Sequence, residues 1–279
     1  MFQSKEFQSL AALPAINPES IFDYNYIAYM QNSYIKDLNL FLKKYPGLLL
    51  IDSACKNYFQ DKYATSTLFT EIPSLIEVKP KWGLYKKEYS KNLAHQIQKE
   101  INSAIYVIKP RNAFKGNGVI ITSKEDLNKT LKTILLNNKT LSNHPDRGYR
   151  YWSKNRSDSF LVEEFIYSDL ITIPEYNNQL FNGTMRLAVA LIYHNNDFQL
   201  HFLGEYWNIP DKSINEPGSL NDKHKTSLSS LHKCKIDPHT AFTVKKSLTK
   251  PLLLLYKRLL GFDIENIENG LETSIITGY

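Results

Sequence analysis

Apolar and polar positions alternate along this chain in two rhythms, one helical and one extended. Over residues 20–44, Phe22, Ile27, Met30, Leu38, Leu40 and Leu42 stand among polar residues, which predicts a helix stopped by Pro46-Gly47 just after Tyr45. The run LLLI at 48–51 reads as a buried strand that ends at Asp52 and Ser53, and the segment to Phe69 reads as helical. Pro73 and Pro80 flank a predicted strand at 75–78, and 88–102 is a predicted helix with apolar Leu93, Ala94, Ile97 and Ile101. AIYVI at 104–108 predicts a strand, followed by a turn and a second strand at 119–122. Ser123 is placed to cap a helix running through Leu136, with Asp126 completing part of a capping box. Residues 137–159 read as polar and irregular, and 160–166 as a strand. Two further strands, 187–193 and 198–203, pair around Asn195-Asn196, and a polar segment fills 210–235. Residues 241–260 predict a helix with Pro251 as a kink or break, and 262–267 and 271–276 pair around Asn269-Gly270. Strands alternate with helices early and pair as hairpins late, so the fold class is a mixed α+β, not a repeat array or an all-β sandwich.

Composition narrows the classes. The chain has 279 residues, of which 42% are hydrophobic, enough to bury a sizeable core. No apolar run approaches the roughly 20 residues that a membrane span needs. The first twenty residues lack a basic stretch followed by a long apolar one, so no secretory signal is expected, and the expected compartment is the cytoplasm. Cys55 and Cys234 belong to no CxxC or Cys/His set, which predicts reduced thiols and argues against structural zinc. A net charge of +6 permits a nucleic-acid partner without favouring one, and equally suits a protein whose ligands are small anions. The seven histidines form no recognisable set, and no GxSxG supports a serine hydrolase.

Four segments carry candidate chemistry. IYVIKPRNAFKGNGVIIT (105–122) sets Lys109 at a strand end before Gly116-Asn117-Gly118. An ammonium facing backbone N–H groups freed by glycines is a recipe for holding phosphates, although no GxxxxGK[ST] is present; a hairpin with a flexible tip is the plainer reading. FLVEEFI (160–166) sets two acids after an apolar strand, where main-chain and carboxylate groups can line a slot for a base, or can simply be solvated. Arg186 opens the apolar strand GTMRLAVALIY, where a guanidinium needs an anion or an acidic neighbour. In GFDIENIENGLETSIITGY, Asp263 and Glu272 lie on strands joined by a turn, as paired Mg²⁺ carboxylates or as an exposed acidic hairpin.

In their order along the chain, these pieces resemble the ATP-grasp superfamily, which includes D-alanine–D-alanine ligase, glutathione synthetase and the ribosomal-protein glutamate ligases. The resemblance runs from about Asp52 to Gly278. Asp61-Lys62 is similar to the family's early Asp-Lys, whose lysine reaches the ATP phosphates. Lys109-Pro110, with Lys115, Gly116, Asn117 and Gly118, is similar to the second lysine and its Gly-rich loop. Glu163, Glu164, Phe165 and Ile166 resemble the hinge that holds adenine, Asp169 the acceptor for the ribose hydroxyls, and Arg186 the arginine on the transferred phosphoryl. Asp263, Glu272 and Ser274 stand in the Mg²⁺-binding frame, with Ser274 where asparagine is usual and Thr277 where proline is usual.

The resemblance implies an ATP-grasp fold: two α+β lobes clasping ATP (76–159 and 160–279), after an N-terminal pre-ATP-grasp α/β region (1–75). It implies ATP and Mg as cofactors, and a ligase that activates a carboxylate as an acyl phosphate for attack by an amine. The expected partners are small-molecule or peptide carboxylates and amines, not nucleic acid or membrane, and a homo-oligomer is open to the chain. Lys109 and Arg186 are the expected catalytic pair. Glu205, Asn221 and Lys223 are candidates for the substrate side. An ATP-grasp phosphotransferase and a non-catalytic nucleotide-binding module share the same nucleotide site and remain open. The basic, aromatic stretch DRGYRYWSKNR (146–156) could meet an anionic substrate or be a solvated loop.

Overall fold

The computed structural model describes residues 61–113, 116–136, 138–194, 197–226 and 233–259. The helix expected at 20–44, the strand at 48–51 and the hairpin around Asn269-Gly270 lie outside these residues. Of the described residues, 61–188 and 203–251 fall in one compact unit, and 189–202 and 252–259 in a second.

The first unit begins with helix α1 (Lys62–Thr70), capped by Asp61, whose carboxylate accepts from Tyr63 N–H at 2.9 Å. Helix α2 (Pro73–Ile76) occupies the place where a strand was expected at 75–78. Proline at the first helical position has its φ already set for a helix and lacks only an N–H that would be unpaired there, so Pro73 starts a helical turn instead of bounding a strand. The strand comes later, as β1 (Trp82–Lys86), beyond Pro80.

Helix α3 (Leu93–Glu100) lies within the helix expected at 88–102. Strands β2 (Ile105–Pro110) and β3 (Ile120–Ser123) follow close to their expected bounds. Ser123 remains in the strand, although its hydroxyl accepts from Asp126 N–H at 3.1 Å, and helix α4 (Leu127–Leu136) starts one residue after Asp126.

The stretch expected to be irregular holds helices α5 (Asn138–Leu141) and α6 (Arg147–Lys154). Asp146 caps α6, accepting from Gly148 N–H at 2.5 Å, and the helix turns Trp152 wholly into the core while Arg147 and Lys154 stay exposed. Burying one large aromatic outweighs the polar average of the segment.

Strand β4 (Ser159–Glu164) sits between β1 and β2, giving a four-stranded sheet of order β1-β4-β2-β3, antiparallel at each described pairing. Alternation sorts its two faces. Tyr85, Tyr106, Ile108, Ile120, Phe160 and Val162 join Leu93, Ile97, Leu127, Leu131, Ile134 and Trp152 in one buried cluster under α3, α4 and α6. The intervening positions of β2 and β4, Val107, Lys109, Leu161 and Glu163, are therefore turned to the opposite face.

A small hairpin, β5 (Leu170–Ile173) and β6 (Gln179–Asn182), turns through a 3-10 turn at 174–176 and two left-handed asparagines, Asn177 (φ 54) and Asn178 (φ 56). Asparagine tolerates that region best after glycine, so Asn177-Asn178 was a turn signal in plain sight. Strands β7 (Thr184–His194), β8 (Asp197–Asn208) and β9 (Lys233–Cys234) form a three-stranded sheet in that order, with β7 and β8 longer than the expected pair. Between β8 and β9, in the expected polar segment, lies the short helix α7 (Leu220–His224). Helix α8 (Pro238–Leu259) contains Pro251 within it and begins three residues before the expected start. No helix among the described residues is long and apolar enough to cross a membrane. Cys234 is a half-buried free thiol, and Cys55 lies outside the described residues.

Candidate functional site

The register of the four-stranded sheet assembles a charged cluster. Glu163 lies opposite Val107 on β2 and Trp82 on β1, and Lys109 lies opposite Leu161, one pleat repeat away. Lys109 and Glu163 are thus diagonal neighbours on one face, within reach of a long side chain. The Lys109 ammonium donates to Glu163 Oε2, and Lys79, from the segment between α2 and β1, donates to Oε1 at 2.8 Å. The Glu163 side chain is only 8% exposed and Lys79 12%.

Lys62 joins them from the first turn of α1. Its Nζ donates to the Ala113 carbonyl, and its backbone N–H donates to Arg111 O at 3.2 Å. The start of α1 is fastened to the end of β2 by Asp61, which takes a two-pronged contact from Arg111 (Nε at 2.9 Å to both oxygens, Nη2 at 2.6 Å) while also capping the helix. Arg111 in turn lies 5.2 Å over the Tyr63 ring.

The electrostatics follow from burial. Desolvation pushes the Lys62 ammonium down to about 8, the Lys109 charge adds to that, and Glu163 and Asp61 oppose it. Lys79 is also lowered, chiefly by burial, against the pull of Glu163. Burial by itself would raise the Glu163 carboxyl, but Lys109 and Lys79 overcome it and hold the group below its ordinary value. Burial likewise works to raise Asp61, and its bonds from Arg111 and Tyr63 bring it below the ordinary value. Lys79 and Lys109 therefore share one carboxylate, and the nearby Lys62 ammonium adds further positive charge in a poorly solvated place, a surplus suited to an anion.

Strand β2 leads from Lys109 into the Gly-rich loop, of which Gly116, Asn117 and Gly118 are described and Lys115 is not. Gly116 (φ 71) and Gly118 (φ 70) are both left-handed. A Cβ at Gly118 would come within 2.4 Å of Pro110 Cγ and 2.7 Å of Tyr151 Cδ1. Trp152 Nε1 donates to Gly118 O at 2.8 Å, tying the loop to helix α6. A cavity of about 1120 Å³ opens beside the loop, walled by Gly116, Thr122, Lys129, Gly148, Asn221 and Lys225 among others.

The end of β4 is held by a backbone and side-chain clasp. Glu164 Oε1 accepts from Lys81 N–H at 2.7 Å, and Glu164 N–H donates to Lys81 O at 2.9 Å. Phe165 N–H donates to Ile105 O at 3.0 Å, and its ring meets Tyr167 edge-on at 4.9 Å. Ile166 and Tyr167 are exposed (58% and 62%), as is Asp169.

The remaining sequence candidates are scattered. Arg186, on β7, is half-buried, and its Nε is buried without a hydrogen-bond partner. Glu205 on β8 pairs with Lys245 of α8 at 2.7 Å. Lys223 donates to Ile214 O at 3.0 Å, and Asn221 bonds to Ile121 and Asp146. These three side chains are occupied in three different local contacts. Asp263, Glu272 and Ser274 lie outside the described residues, and no group of three His, Cys, Asp or Glu suited to a metal occurs among the described ones. Sequence reasoning missed Lys79 and Arg111, and took in Trp152 only as one residue of the basic, aromatic stretch 146–156. Lys79 sits outside any motif, and only the sheet register brings Glu163 within its reach.

The sequence matches no family model and no curated protein. Among solved structures it is similar to D-alanyl-alanine synthetase A from Vibrio cholerae, with 11% identity and a TM-score of 0.40 over 79% of this chain and 54% of that one. It is also similar to D-alanine–D-alanine ligase from Helicobacter pylori, with 16% identity and a TM-score of 0.37 over 80% of this chain and 50% of that one. The chain spans about half the length of these two structures.

Proposed function

We propose that this chain binds ATP at the lysine cluster and uses it to join a carboxylate to an amine, with ADP and phosphate released. The observation that carries the reading is the meeting of Lys79 and Lys109 on the buried carboxylate of Glu163, with the Lys62 ammonium near enough to feel the charges of both Lys109 and Glu163, on the strand face that runs into the Gly-rich loop.

A triphosphate fits that charge surplus. Lys62 and Lys109 would hold phosphate oxygens as point charges, and Glu163 would keep both Lys79 and Lys109 aimed while the site is empty. The left-handed glycines leave N–H groups of Gly116, Asn117 and Gly118 free to approach oxygens, with Lys115 beside them. Glu164, Phe165 and Ile166 would border the base and Asp169 the ribose. The unpaired Nε of Arg186 suits an anionic group, here the phosphoryl in transfer or the acyl phosphate that the substrate carboxylate becomes. Mg²⁺, when bound, would neutralise phosphate charge, with Asp263, Glu272 and Ser274 as its proposed ligands. The proposed lobes are 76–159 and 160–279, after an N-terminal region at 1–75. Holding reactants in line accounts for most of the rate gain such a site can supply.

Hydroxylamine tests the chemistry, because it replaces the amine whatever the natural one is. Incubation with MgATP and a panel of carboxylates should give a hydroxamate together with ADP. ADP formed with a phosphorylated acceptor and no hydroxamate would make the chain a phosphotransferase. Nucleotide binding without turnover across the panel would leave a non-catalytic module.

A further inference from the structure

The segment that contains α7 runs along the open edge of strand β3. Helix α7 is set by a reciprocal capping box: Ser219 Oγ accepts from Asp222 N–H at 3.2 Å, and the Asp222 carboxylate accepts from Ser219 N–H at 2.9 Å. From it three side chains reach three places. Asn221 Oδ1 accepts from Ile121 N–H at 2.9 Å, and its Nδ2 donates to Asp146 Oδ2 at 3.3 Å. His224 meets the rings of Phe165 (4.9 Å) and Tyr167 (6.0 Å) edge-on. Lys225 lies along the glycines: its Cε is 4.0 Å from a Cβ built at Gly116, and its Nζ 3.2 Å from one built at Gly148. The segment is moored elsewhere by Ile214 N–H to Leu180 O at 2.9 Å and by Thr226 to Thr184 at 3.2 Å.

We infer that residues 219–226 are a strap that sets the position of the Gly-rich loop, with Asn221 as its positioning residue. The inference rests on the reading that this loop meets nucleotide phosphates. Strand β3 is the edge of its sheet, and its outward donor at Ile121 is answered by a side chain instead of another strand. Ile121 stands three residues beyond Gly118, so the exit of the loop has two anchors: Trp152 on Gly118 O, and Asn221 on Ile121 N–H. Asn221 also fastens Asp146, the cap of the helix that carries Trp152. One amide therefore controls both anchors. Removing it leaves the lysine cluster intact but lets the loop sample positions in which its N–H groups no longer converge. The contact of His224 with Phe165 extends the same strap to the end of β4, so order in the loop and order at the proposed base slot are linked through α7.

The test combines amide hydrogen exchange with nucleotide binding. Asn221→Ala should speed exchange at Ile121 and over 116–119 by about tenfold, the scale of one lost hydrogen bond, with β1 and β4 unchanged. It should weaken a non-hydrolysable ATP analogue by about tenfold. The pair Asn221→Asp with Asp146→Asn exchanges donor and acceptor across that contact, keeps an acceptor for Ile121, and should restore both readouts. Unchanged exchange in Asn221→Ala would overturn the strap. Faster exchange with undiminished analogue affinity would overturn its positioning role. Should wild type bind no analogue, the nucleotide reading fails, and the exchange data alone still decide whether the strap holds the loop.

Discussion

Burial and the Lys109 charge push the Lys62 ammonium down to about 8, against the pull of Glu163 and Asp61. Its ammonium carries a full charge well below pH 8 and loses it above. A polyanion prefers the charged form, so binding takes up a proton as pH rises through that value. Affinity for a triphosphate should therefore fall between about pH 7 and 9. Lys62→Arg should flatten that profile, since guanidinium stays charged throughout, and calorimetry at a series of pH values would show it. Stability has the opposite sign. The folded state holds fewer protons on Lys62 than the unfolded chain between about 8 and 10.5, so this group favours folding more as pH rises across that window. Glu163 gives a second prediction at this scale. Glu163→Gln leaves Lys79 and Lys109 without their shared counter-charge and should cost roughly 1–3 kcal/mol in urea unfolding. Inorganic phosphate should recover part of that loss by supplying the missing negative charge.

At the scale of elements, the Gly-rich loop depends on the helix behind it. Gly118→Ala forces a Cβ against Pro110 and Tyr151 at a left-handed φ and should destabilise by about 1–3 kcal/mol, read from the shift in thermal midpoint. Trp152→Phe keeps the aromatic core but deletes the bond to Gly118 O, and should cost about 1 kcal/mol. Helices α3 and α4 and strand β2 were legible in the sequence because each buries one regular face, and β3 and β4 because short apolar runs mark strands buried on both faces, with bounds within about five residues. Helix α6 was not legible. Its polar composition hides a single buried tryptophan, and tertiary partners distant in sequence, the core under the sheet and the Gly118 carbonyl, explain why Trp152 faces inward. Proline misled at 75–78, where Pro73 starts a helix. Helix α7 carries a capping box, Ser219 with Asp222, that could have been read from the sequence, but its short length gave no periodic signal.

At the scale of the whole molecule, the net charge of +6 says little, since where the lysines meet matters more than how many there are. Lys109 and its glycines stand out as one continuous segment, and Lys62 only through the resemblance of Asp61-Lys62 to a family pattern. Lys79 and the use of Glu163 as the shared counter-charge needed the register of β1, β4 and β2, which no linear spacing encodes. We propose that this lysine cluster holds the phosphates of a nucleotide. Calorimetric titration of a non-hydrolysable ATP analogue with and without Mg²⁺, on wild type and on Lys109→Ala, tests it most directly. Binding should depend on Mg²⁺, and Lys109→Ala should weaken it by at least about tenfold, the loss of roughly one charged hydrogen bond. Binding of equal strength in the two proteins would contradict the proposal.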